Sequence, residues 1–111
     1  MMATTMGWGT TSYPDGNFSK ELLAIKLRVW GFEECYSVFD ITDTNLCAGG
    51  TKGVDACEGD NGGPLIIEQD SGDVLIGLVS WGRDCGKKGF PTVFSRVSSA
   101  VPWIESMMAT L

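Results

Sequence analysis

At 111 residues, with 43% apolar and 20% charged side chains, the chain has an ordinary globular balance and room for one modest core. Its net charge of −6 is spread along the sequence, which argues against nucleic acid and anionic membranes as partners, because phosphate-binding surfaces cluster Lys and Arg. No apolar run reaches the ~18 residues of a membrane span, and the opening Met1-Met2-Ala3-Thr4-Thr5-Met6 lacks the basic start and apolar stretch of a signal peptide, so a secreted protein would need a signal upstream.

Residues 3–9 read as a first strand. A turn at Pro14-Asp15-Gly16 follows, beside Asn17-Phe18-Ser19, an acceptor for glycosylation at Asn17 in a eukaryotic secretory pathway. Residues 19–30 alternate, with Leu23, Ile25, Leu27 and Val29 on one face and Lys26 and Arg28 on the other, which predicts a half-buried strand. Phe32, Cys35, Tyr36 and Phe39 recur at helical spacing and predict one apolar face of a short helix. Residues 63–67 and 73–81 form the expected arms of a hairpin around Gln69-Asp70-Ser71-Gly72, and 91–97 is a further strand. A terminal helix is expected to be capped by Ser98 or Ser99, with Pro102 in its first turn and a stripe of Val101, Ile104 and Met108 packed on the rest. Short strands, glycine-rich turns and few helices mean an antiparallel barrel or sandwich, here as one unit without repeats or linkers.

Cys35, Cys47, Cys57 and Cys85 make an even set in a short chain, which points to disulfides and an oxidising compartment. Zinc is the competing use, but there is no C-x-x-C pair and no histidine, and no metal or other cofactor is expected. Composition leaves all three disulfide pairings open. The segment Asp55-Ala56-Cys57-Glu58-Gly59-Asp60-Asn61-Gly62-Gly63-Pro64-Leu65 is rich in glycine, so it is either a plain tight turn or a loop whose N–H groups converge on an anion.

That segment resembles the D-x-C-x-G-D-S-G-G-P-L signature of the trypsin-like serine proteases, with asparagine in place of serine. The rest of the chain agrees in order: Gly7-Trp8-Gly9-Thr10, Leu46-Cys47-Ala48-Gly49, Val79-Ser80-Trp81-Gly82, Pro91-Thr92-Val93-Phe94, and Trp103-Ile104 near the end. The resemblance implies an all-β fold, the C-terminal six-stranded antiparallel barrel of that family, with a short internal helix and a C-terminal helix. Residues 1–111 would form a single partial domain lacking the N-terminal barrel.

Residue by residue, the resemblance places Asn61 at the nucleophile position and gives Gly59 and Asn61 the oxyanion-hole N–H groups. Asp60 matches the acid that pairs with a newly released N-terminus in active members. Asp55 matches the base of the specificity pocket, Trp81 and Gly82 one of its walls, and Thr92 a position usually held by glycine, where a branched side chain should fill the pocket. The resemblance also selects Cys35–Cys47 and Cys57–Cys85 from the three pairings. Acyl transfer needs an ionisable hydroxyl or thiol and a base to take its proton. Asn61 is neither, and the chain contains no histidine.

A scaffold without its chemistry is expected to be a binding protein. Val29-Trp30, Leu46-Cys47-Ala48-Gly49-Gly50 and residues 58–65 are similar to glucanase inhibitor proteins, secreted oomycete homologues of serine proteases that inhibit plant endo-β-1,3-glucanases. The resemblance therefore implies an extracellular pseudoprotease whose partner is another protein, with binding carried by loops 58–62, 81–88 and 13–18 at one end of the barrel. The alternatives are a trypsin-family endopeptidase and a truncated product without function. The Met1 start inside what resembles the first strand favours a fragment over a designed N-terminus.

Overall fold

A computed structural model of the chain describes residues 1–8, 20–50, 62–82 and 89–111. The elements run β1 (Met2–Gly7), β2 (Leu23–Arg28), α1 (Phe32–Tyr36), β3 (Asn45–Gly49), β4 (Pro64–Ile67), β5 (Val74–Trp81), β6 (Pro91–Arg96) and α2 (Val97–Met108). The six strands form one sheet in the order β2-β1-β4-β5-β6-β3, antiparallel at every pairing. The two outer strands meet where the chain just past β2 bridges β3 at Val29 and Ala48, reinforced by the Trp30 N–H donating to the Cys47 carbonyl at 2.9 Å. One bridge closes the sheet into a barrel, as an all-β reading with a short internal and a C-terminal helix requires.

Two apolar clusters explain why the strands lie where they do. The barrel interior holds Ala3, Leu27, Leu46, Ala48, Leu65, Val79 and Phe94. A second cluster, outside the barrel wall, holds Cys35, Phe39, Ile41, Cys47 and Val93. Neighbouring residues of β3 and β6 divide between the two, so both strands are buried on both faces. Cys35 and Cys47 form a disulfide, which fastens α1 to the outside of β3. It is the first pair that the resemblance implies; Cys57 and Cys85 lie outside the described residues.

The hairpin is present as expected, with the Gly72 N–H donating to the Gln69 carbonyl at 3.0 Å and φ of +124° at Gly72. β3, the sixth strand, carries no alternation to mark it, because burial on both sides erases the period of a half-buried strand. Two helix expectations need correction. The apolar face of α1 splits: the helix stops at Tyr36, Cys35 and Phe39 are buried, and Phe32 and Tyr36 stay exposed, stacked on each other at 5.9 Å. α2 begins at Val97, earlier than a serine cap would place it. Its start is held by Arg96, whose guanidinium donates to the Asp43 and Asn45 carbonyls at 3.1 and 3.0 Å, while the Ser99 hydroxyl donates to Asp43 instead of capping. Pro102 consequently falls inside the helix, and no residue of α2 is buried. Its stripe does not pack down: Ile104 is half-buried, but Val101 and Met108 are exposed.

Candidate functional site

The strand register brings the roots of three connections to one end of the barrel. Gly7 pairs with Leu23, and Thr5 beside it pairs with Leu65, so the 9–19 connection leaves next to the start of β4. Gly49 pairs with Pro91, which sets the exit of β3 beside the entry to β6. Trp81 pairs with Val93 at the end of β5. Segments 9–19, 51–61 and 83–88 therefore depart from, or return to, the same rim.

Backbone hydrogen bonds hold that rim. The Gly62 N–H donates to the Val79 carbonyl at 2.9 Å, and the Val79 N–H donates to the Gly63 carbonyl at 2.8 Å, which ties the return of 51–61 to β5. The Gly89 N–H donates to the Gly50 carbonyl at 2.9 Å, which ties the exit of β3 to the entry of β6. Gly50 has φ of +85° and Gly62 of +80°, a backbone region that side chains disfavour, so glycine at each root is conformationally required.

Among the residues singled out from the sequence, Trp81, Gly82 and Thr92 are described, besides Cys35 and Cys47 of the disulfide. Thr92 is only 5% exposed. A Cβ built on Gly82 would lie 3.6 Å from the Thr92 Cα and 3.9 Å from its hydroxyl oxygen, so Gly82 and Thr92 face each other closely. Trp81 is 42% exposed, yet its ring is braced edge-on against buried Phe39 at 5.0 Å, and Phe39 in turn meets Phe90 at 6.1 Å. The outcome is a half-open aromatic surface on a buried aromatic base. Asp55, Cys57, Gly59, Asp60, Asn61, Cys85 and Asn17 lie outside the described residues, as does the 83–88 stretch.

Sequence reasoning missed Trp30 as anything beyond a strand end. Its indole N–H donates to the Gly49 carbonyl at 2.7 Å, and the Arg28 guanidinium lies 5.0 Å from its ring centroid. Arg28 also pairs in two-pronged fashion with Glu34, at 3.1 and 2.8 Å. The hydrogen bond from Arg28 lowers the Glu34 carboxyl below its ordinary value, helped by the Gly31 N–H. The one signal available was that Val29-Trp30 and Leu46-Cys47-Ala48-Gly49-Gly50 are separate blocks similar to glucanase inhibitor proteins, and it carried no geometry. Among the described residues no group of three metal-ligating side chains converges, and no helix is long and apolar enough to cross a membrane.

The family described as "Trypsin" matches residues 1–104. The chain is 56% identical over 110 residues to "Glucanase inhibitor protein 2" of Phytophthora infestans, covering 96% of this chain and 43% of the relative. It is 52% identical over 113 residues to "Glucanase inhibitor protein 2" of Phytophthora sojae, covering 99% and 39%. "Glucanase inhibitor protein 3" of P. infestans is 48% identical over 110 residues, covering 96% and 42%. The chain thus spans about two fifths of the length of these curated relatives.

Proposed function

This chain belongs to the trypsin family, and we propose that it is a non-enzymatic member that binds and inhibits a glucanase. The observation that carries the reading is 56% identity to a glucanase inhibitor protein across 96% of the chain. The residues support it chemically. Asn61 stands where the shared signature has serine, and its neutral amide can neither attack a carbonyl nor take a proton at neutral pH. Loss of a single triad member already leaves only ~10³–10⁴-fold acceleration over water, and these 111 residues contain no histidine to serve as base. Thr92, buried opposite Gly82, supports a pocket too shallow for a long cationic side chain.

The proposed contact face is the rim where 9–19, 51–61 and 83–88 are rooted. Trp81 is its aromatic anchor, and Arg83, Lys87 and Lys88 supply the charge that steers association. We place the protein outside the cell, as one partial domain corresponding to the second barrel of the family fold, with a plant endo-β-1,3-glucanase as partner. Addition of the purified chain to such a glucanase should lower its rate of β-glucan hydrolysis and capture the enzyme in a pull-down. Trp81→Ala should weaken both effects, and Lys87→Glu with Lys88→Glu should slow association in a salt-dependent way. A folded chain that neither inhibits nor captures any plant glucanase overturns the reading. Stoichiometric labelling by a serine-directed phosphonate would favour the endopeptidase alternative. We expect none, and none after Asn61→Ser, because the new hydroxyl still lacks a base.

A further inference from the structure

We infer that Trp30 is a positioning residue: it sets the backbone at Gly49 and Gly50, where the chain leaves β3 for segment 51–61 and the rim. Three contacts converge on it. Its backbone N–H donates to the Cys47 carbonyl at 2.9 Å and its indole N–H to the Gly49 carbonyl at 2.7 Å, so one residue grips β3 at two points two residues apart. A Cβ on Gly50 would lie 2.8 Å from Cζ2 and 3.4 Å from Cε2 of the same indole, so the ring fills the space where a side chain would stand. The Gly50 carbonyl accepts from the Gly89 N–H at 2.9 Å, which carries the constraint to the entry of β6.

The ring is itself held from α1. Arg28 lies over it, Glu34 grips Arg28 through both carboxylate oxygens, and the Gly31 N–H holds the Glu34 Oε1 at 3.3 Å. A relay of four residues thus runs from the first turn of α1 to the exit of β3. Trp30 is only half-buried and packs against the outer cluster, not the barrel interior. It stands next to the Val29–Ala48 bridge that closes the barrel, the only β2-side bridge to β3 among the described residues. Aromatic area alone would serve packing there. The spent indole donor and the glycine cut to fit the ring are what a positioning role requires.

The test compares Trp30→Phe and Trp30→Leu with the unaltered chain by amide hydrogen exchange. Phenylalanine keeps most of the ring and loses the donor. In Trp30→Phe we expect the Gly89 amide to exchange about tenfold faster, while the Leu27, Leu65 and Phe94 amides keep their protection. Trp30→Leu should enlarge the effect at Gly89. Unchanged protection of Gly89 in both variants overturns the inference, and so does an equal loss at Gly89 and at the interior amides, which would make Trp30 a packing residue only. If Trp30→Leu does not fold, Trp30→Phe decides. A second readout rests on the glucanase reading: Trp30→Phe should inhibit severalfold less well. Should the unaltered chain inhibit no glucanase, that reading fails and the exchange result still stands or falls alone.

Discussion

Gly77 on β5 points its hydrogen into the barrel, where a Cβ would lie 3.1 Å from the Phe94 Cβ, 3.4 Å from the Ser95 carbonyl and 3.5 Å from Leu46 Cδ2. Phe94 is fully buried and has nowhere to retreat, so one methyl group must displace backbone or strain a rotamer. Gly77→Ala should therefore destabilise by about 1–3 kcal/mol, read as a lower midpoint in denaturant without a change in slope. The Arg28–Glu34 pair works differently. Both side chains are about half exposed, at 49% and 45%, so screening keeps its contribution small. The sign is nonetheless definite. The folded state lowers the Glu34 carboxyl, so its contribution is complete above the ordinary carboxylate range and is lost as pH falls through the depressed value. Glu34→Gln should be less stable than the unaltered chain at neutral pH and low salt, and the two should converge in acid. A gap that persists or widens in acid would show that charge is not the cause.

Among the elements, α2 differs most from its expected role. A helix whose stripe packed on the barrel would make its large side chains core residues. Trp103 is instead 66% exposed, Met108 65% and Met107 49%. Trp103→Ala should then change stability by less than about 0.5 kcal/mol, as surface positions do. A loss of several kcal/mol would mean that Trp103 is buried after all. β6 and the start of α2 supply the contrast. There Arg96 and Ser99 reach carbonyls at 43 and 45, so the helix entry is fixed by hydrogen bonds while the rest of the helix is held by little.

At the scale of the whole molecule, a barrel of short strands in a chain this small has a modest core and a narrow margin of stability. The Cys35–Cys47 disulfide closes a loop across 12 positions and joins the outer cluster to the barrel wall. By the chain-entropy estimate such a loop contributes about 3 kcal/mol, a large share of what a domain of this size can hold. Cys35→Ala with Cys47→Ala should lose roughly that much in chemical denaturation. A loss below about 1 kcal/mol would mean that the outer cluster holds α1 without the covalent link.

Local pattern determined a good deal by itself. Alternation marked β2, the turn at 69–72 marked the hairpin, and ordered blocks of identical residues identified the family whose profile matches 1–104. Asn61, Asp55 and Gly59 are candidate site residues through that resemblance alone, since a glycine-rich sequence has no pattern that distinguishes anion binding from a simple bend. What tertiary structure decided are the features in which separate stretches of chain share one wall. β3 is covered by the barrel interior on one face and by α1 on the other, so its period disappears. α2 was assigned a buried stripe from its own spacing, but burial depends on the surface it meets, and it meets chiefly the side of β5. Trp30 and Gly50 lie on either side of α1 and β3 and meet because the sheet curls until its two outer strands, β2 and β3, touch; closure of that kind leaves no periodic trace in the residues that make it.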